Sequence, residues 1–184
     1  MNTIEEIGRL FDERGESLYG GELISQRDHA LQAATLAENE GATCELITAA
    51  LLHDIGHLLH DLPDDSTDQG IDDAHELLGE RYLGIAFGPE VTVPVSMHVL
   101  AKRYLCAVDS GYRKDLSEAS RASLRLQGGP LEADELADFE SLPFWRDAVR
   151  LRRWDDLAKR EGVTTPPLRH FNVYLEAVFE TNQL

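Results

Sequence analysis

The sequence predicts an all-α protein built as a single unit. Apolar residues recur at helical spacing along nearly all of the 184 residues, while strand-like alternation is scarce. No internal repeat, low-complexity tract or Pro/Ser linker divides the chain, so residues 1–184 read as one domain. Hydrophobic residues make up 42% and charged residues 28%, enough for a sizeable core without disulfide support.

Helices are expected over 3–14, 23–40, 43–60, 71–86, 89–107, 116–125, 132–140, 144–161 and 167–181. Gly41 ends the second and Thr43 caps the third. Pro63 and Gly70 interrupt the chain before the fourth helix, and Gly88-Pro89 opens the fifth. Gly128-Gly129-Pro130 forms a tight turn before the seventh, and Pro166-Pro167 sets off the last. Residues 61–73 are rich in aspartate and hold no Lys or Arg; they read as a solvated loop or as a mobile flap beside a site.

The formal net charge of −17 argues against nucleic acid and against an anionic membrane surface as partners. A small anion stays possible, because local basic residues decide a pocket. There is no N-terminal apolar segment of signal type and no apolar run of about eighteen residues, so a cytoplasmic protein is expected. Cys44 and Cys106 sit in apolar contexts without CxxC spacing and read as buried thiols of a reducing compartment. The oligomeric state is left open.

Chemistry concentrates in AALLHDIGHLLHD, residues 49–61. On a continuous helix His53 and His57 would share one face, with Asp54 about 100° from His53. A buried carboxylate is costly unless paired or bound to metal, and His53-Asp54 is flanked by Leu51, Leu52, Ile55 and Leu58. Metal ligation neutralises both residues at once. His29, His75 and His98 lie in amphipathic segments able to face inward, and Asp155 completes a set of four imidazoles and two carboxylates. Mixed N/O donors without thiolate suit iron, manganese or zinc. Six donors are too many for one open catalytic metal, and a bridging Asp54 shared by two metals resolves the count. His57 is expected to orient a ligand or meet substrate. His60 reads as a surface residue and His170 as a packing or helix-start residue. Lys102 follows His98 by four residues and Arg152 precedes Asp155 by three, so each is either a surface cation or an anion contact beside the ligands.

The order of YGGE (19–22), His29, LLHDIGH (51–57), His75, HVLAKRYL (98–105), LSEASR (116–121), QGGP (127–130) and RRWDD (152–156) resembles the HD-domain mixed-valence diiron oxygenases of phosphonate breakdown. That family is distantly related to myo-inositol oxygenase. The resemblance implies an HD-type helical bundle with two irons, Fe(II)/Fe(III) when active, and O2 as co-substrate. It places His29, His53, Asp54 and Asp155 on one iron, and Asp54, His75 and His98 on the other. It implies phosphonate contacts from His57, Lys102, Ser120 and Arg152, with Gln127 lining the pocket. Tyr19 and Glu22 would meet the substrate's ammonium end, and Tyr19 would occupy an open iron position until substrate arrives. The implied reaction is oxidative C–P cleavage of a 1-hydroxy-2-aminoethylphosphonate. Gly20-Gly21 leaves room that favours (R)-1-hydroxy-2-(trimethylammonio)ethylphosphonate, giving glycine betaine and phosphate, over the primary amine, which gives glycine. The alternatives are an HD phosphohydrolase acting on a nucleotide or phosphoester, and a non-catalytic metal-binding module.

Overall fold

The computed structural model describes residues 3–19, 22–60 and 73–182. Among them are ten α-helices: α1 (Thr3–Arg14), α2 (Gln26–Asn39), α3 (Cys44–Leu52), α4 (His75–Leu83), α5 (Pro89–Val108), α6 (Ser110–Asp115), α7 (Glu118–Leu126), α8 (Ala133–Ser141), α9 (Trp145–Leu157) and α10 (Asn172–Asn182). Two 3-10 turns, Ile55–Leu58 and Leu168–Phe171, join the series. The aspartate-rich loop, Asp73 excepted, lies outside the described residues. None of the described helices is long and apolar enough to cross a membrane.

The long helix α5 is the centre of the bundle and packs most extensively on α9, α4 and α3. Its main core joins Leu51, Leu52, Leu83, Val95, Leu151 and Trp154. A second cluster unites Leu105, Leu131 and Phe139 at the other end of α5. Helix α2 buries Ala30, Ala33, Ala34 and Ala37, and helix α3, packed on it, buries Ala49 and Ala50. Small side chains let two helix axes approach closely, which brings His29 of α2 beside His53 at the end of α3.

Several expected helices are shortened, each for a local reason. The second begins at Gln26, because the Ser25 side chain caps it by accepting from the Asp28 N–H, while Tyr19 N–H donates to the Ile24 carbonyl (2.9 Å). The helix expected over 43–60 stops at Leu52. Asp54 leaves helical geometry at φ −104°, ψ 14°, and the chain tightens into the 3-10 turn. His53 and His57 therefore do not share a helix face. The cause is tertiary: a Cβ on Gly56 would lie 2.0 Å from the His75 carbonyl oxygen, so only glycine permits this crossing. The fourth helix starts at His75 and not at 71, since Ala74 is left-handed (φ 48°) and Asp73 Oδ1 accepts the His75 N–H (3.3 Å). The helix expected over 144–161 ends at Leu157, where Ala158 turns its carbonyl toward α2. Helix α6 was not expected; Asp109 starts it by accepting from the N–H groups of Gly111 and Tyr112.

Gly56→Ala must displace backbone and not a yielding side-chain tip. The expected loss is about 1–3 kcal/mol of unfolding free energy by urea titration, with metal content falling alongside because His75 moves.

Candidate metal centre

Four imidazoles aim their Nε2 atoms at one carboxylate. Asp54 Oδ2 lies 3.4 Å from His29 Nε2 and 3.2 Å from His53 Nε2. Asp54 Oδ1 lies 3.3 Å from both His75 Nε2 and His98 Nε2. Asp155 joins the first pair, with Oδ1 3.5 Å from His29 Nε2. Ligand atoms of His29, His53 and Asp155 fall within 4.8 Å of one another, as do those of Asp54, His75 and His98.

The outward nitrogen of each ring is already engaged. His29 Nδ1 donates to the Ala158 carbonyl (2.9 Å), His53 Nδ1 to Ala50 (2.9 Å) and His98 Nδ1 to Val95 (2.6 Å). His75 Nδ1 donates to Asp73 Oδ1 (2.7 Å). Carbonyls and carboxylates only accept, so each neutral ring keeps its proton on Nδ1 and turns a bare lone pair inward. Yet His29 Nε2 and His53 Nε2 stand 3.1 Å apart, and His75 Nε2 and His98 Nε2 3.2 Å apart. Lone pairs so close repel, and both Asp54 oxygens are buried without a hydrogen-bond partner among the described residues. A cation in each half removes the repulsion and satisfies Asp54. The donor set therefore fits two metal ions of the N/O-preferring class.

The titration directions agree. Burial works against charge on Asp54, but the imidazoles, His53 foremost, outweigh it and hold this carboxyl well below the usual range. Burial likewise opposes charge on His75, yet Asp54 and Asp73 on its two sides push it up to about 10. Without metal, a proton on His75 does part of the work of a cation.

A cavity of about 80 Å³ opens beside the cluster and is lined by residues of the Tyr19 turn, α5, α7 and α9. Tyr19 stacks on the His29 ring (centroids 3.8 Å apart), and its hydroxyl donates to Asp155 Oδ1 (3.2 Å). Glu22 N–H donates to the Tyr19 carbonyl (2.7 Å); Glu22 Oε1 is buried and has no hydrogen-bond partner among the described residues. Gly20 and Gly21 lie outside the described residues. His57 stacks on His75 at 4.0 Å and its Nδ1 lies 2.8 Å from Asp73 Oδ2, so it belongs to the His75 half, away from His53. Lys102 and Arg152 are buried, at 2% and 3% exposure, and are not surface cations. Lys102 Nζ donates to Ser123 Oγ (2.8 Å); burial first, then Arg152, pushes Lys102 down to about 7. Ser120 is buried in α7, and Gln127 caps its end, with Oε1 buried and without a hydrogen-bond partner among the described residues.

Some residues depart from the sequence reading. His60 is not a surface residue; its side chain is 19% exposed and its Nε2 lies 3.2 Å from Asp73 Oδ2. His170 sits in the last 3-10 turn and donates to Glu38 (2.7 Å). Asp73 itself escaped sequence reasoning, although it stands two residues before His75. So did Asp156 and Lys159, which stand four and seven residues after Arg152, one helical face along.

The comparisons with known proteins agree with this geometry. An HD domain family model matches residues 27–105. The chain is 46% identical over 178 residues to hydroxymethylphosphonate dioxygenase of Gimesia maris, covering 96% of this chain and 88% of that protein. It is 44% identical over 170 residues to the glycine-betaine-forming [1-hydroxy-2-(trimethylamino)ethyl]phosphonate dioxygenase of Leisingera caerulea, covering 92% and 87%. An uncharacterized protein of Acanthamoeba polyphaga mimivirus is 35% identical over 185 residues, covering 98% and 84%. The chain belongs to the HD-domain phosphonate dioxygenases. The HD segment spans His29, His53, Asp54, His75 and His98, whereas Ser120, Arg152 and Asp155 lie beyond it, in the part that the dioxygenases share.

Because metal must displace the His75 proton, metal affinity of this HD-domain protein rises with pH between 6 and 8, and metal loading releases protons into weak buffer. Asp73→Asn, which loosens His75, is expected to weaken metal binding by about 10–100-fold in chelator competition.

Proposed function

We propose that the protein cleaves the C–P bond of (R)-1-hydroxy-2-(trimethylammonio)ethylphosphonate in an iron- and O2-dependent reaction that yields glycine betaine and phosphate. One observation carries the choice of a substrate with a cationic end, and the room left at Gly20-Gly21 in the sequence favours the trimethylated form. The cavity lined by the buried cations Lys102 and Arg152 is also lined by Glu22, whose buried Oε1 has no hydrogen-bond partner among the described residues. A cavity that holds both buried cations and a carboxylate oxygen without a partner among the described residues complements a dipolar molecule. Hydroxymethylphosphonate, the substrate in the Gimesia maris relative's name, has no cationic end to place against Glu22.

His29, His53 and Asp155 would hold one iron and His75 and His98 the other, with Asp54 giving one oxygen to each. When bound, the pair supplies activation of dioxygen for removal of the C1 hydrogen. The protein's own groups orient the substrate. Lys102, Arg152 and the Ser120 hydroxyl receive the phosphonate, and Gln127 lines the same end. His57, fixed at Nδ1 by Asp73, keeps Nε2 for the substrate. Glu22 and the Tyr19 ring face the trimethylammonium, where cation–π attraction is worth about 0.5–2 kcal/mol. Tyr19 also covers the His29 half through its bond to Asp155, shielding that half until substrate enters.

Iron-loaded protein is expected to release phosphate and glycine betaine only after oxygen is admitted, with product identity read by NMR. The order of kcat/KM should be trimethylated substrate, then primary amine, then hydroxymethylphosphonate. Glu22→Gln should lower kcat/KM for the cationic substrates by about ten-fold or more, the range for a lost charge-assisted contact, and leave hydroxymethylphosphonate unaffected. Anaerobic phosphate release, or a preference for hydroxymethylphosphonate, rejects this reading.

A further inference from the structure

We propose that Lys159 is a positioning residue of the phosphonate pocket: it holds the Ser120 hydroxyl with its hydrogen turned toward the bound anion, and it supplies the cation that leaves this end of the site positive. The inference rests on the reading of the cavity as a phosphonate site.

Lys159 follows the last turn of α9, one residue beyond Ala158, whose carbonyl receives His29. Its side chain is only 10% exposed. The ammonium donates to Ser120 Oγ (2.8 Å) and to Asp156 Oδ1 (3.1 Å), stands 3.6 Å from Asp155 Oδ1, and lies 5.6 Å from the centre of the Tyr19 ring. A serine oxygen that accepts from an ammonium still has its own O–H to donate. Among the described residues no acceptor takes the Ser120 hydrogen, and Ser120 lines the cavity. An anion placed there is its natural acceptor.

The charges point the same way. Arg152 is already enclosed: Nε donates to Tyr112 Oη (3.0 Å) and Asp156 Oδ2 (2.9 Å), Nη2 to Asp156 Oδ1 (2.6 Å), and Nη1 lies 2.7 Å from Asp155 Oδ2. Two carboxylates thus face Arg152 before any substrate arrives. Lys102 adds at most one charge, so without Lys159 the cations at best match these two carboxylates; Lys159 supplies the further positive charge.

The test uses iron-loaded protein and inorganic phosphate as the probe. Lys159→Met should raise the dissociation constant of phosphate, measured anaerobically, and the KM for the hydroxyphosphonate together, each by about ten-fold or more. Iron content and kcat should change little, and Lys159→Arg should recover part of the loss. Because part of the lysine's effect runs through the serine, Ser120→Ala should cost clearly less in the Lys159→Met background than in the wild-type protein. Unchanged phosphate affinity in Lys159→Met, fully additive effects, or loss of iron in both Lys159 variants overturns the assignment. Wild-type protein that binds phosphate in a Lys159-dependent manner yet turns over no hydroxyphosphonate keeps this assignment and rejects the substrate reading instead.

Discussion

The structure depends on one buried carboxylate serving two masters. Asp54 is 6% exposed and presents each oxygen to a different pair of imidazoles. Removing a carboxylate from water to that degree is costly without compensating charge, so the surrounding chain is organised to deliver it. Four rings must arrive with Nε2 inward, and each is held by an acceptor on its far nitrogen. Three of those acceptors are backbone carbonyls, of Ala50, Val95 and Ala158. A side-chain substitution cannot remove them, so these three orientations are properties of the fold itself. His75 alone relies on a side chain, Asp73, and it belongs to the segment whose backbone is most constrained, between left-handed Ala74 and the Gly56 crossing.

That distribution explains what could be read from the sequence. The helical character of the chain, the residue types of the cluster and the pairing of His53 with Asp54 follow from local pattern and from the cost of burying a charge. The break after Leu52 does not. LLHDIGHLL is a good helical pattern, and only the close approach of Gly56 to His75, a contact between segments nearly twenty residues apart, stops the helix and sends His57 to the other half of the site. Asp73, Asp156 and Lys159 were invisible for a different reason. In a chain with 34 acidic residues, another Asp or an isolated Lys after a helix carries no signal until its partners are known.

The overall charge and the site are electrostatically opposed. A net charge of −17 repels an approaching dianion at long range, but screening limits that repulsion to about 10 Å at moderate ionic strength. Inside the cavity the balance reverses, because low-dielectric walls strengthen the interaction with Lys102, Arg152 and Lys159. Burial holds Lys102 down near 7, so an anion beside it would restore the proton that burial disfavours.

The two halves of this chemistry meet at Asp155. Within RRWDDLAK, residues 152–159, a single face of α9 and its following turn carries Arg152, Asp155, Asp156 and Lys159 at intervals of three, four and seven. Asp155 faces His29 and His53 through one side of the site and is flanked by Arg152 and Lys159 on the other. Burial resists its charge, and those two cations outweigh it and hold the carboxyl below its ordinary range. Arg152 and Lys159, both lining the cavity, therefore also stabilise the negative charge of a carboxylate facing the metal cluster. The two cations are thus shared between the cavity and that carboxylate, so one helical face builds both parts of the site.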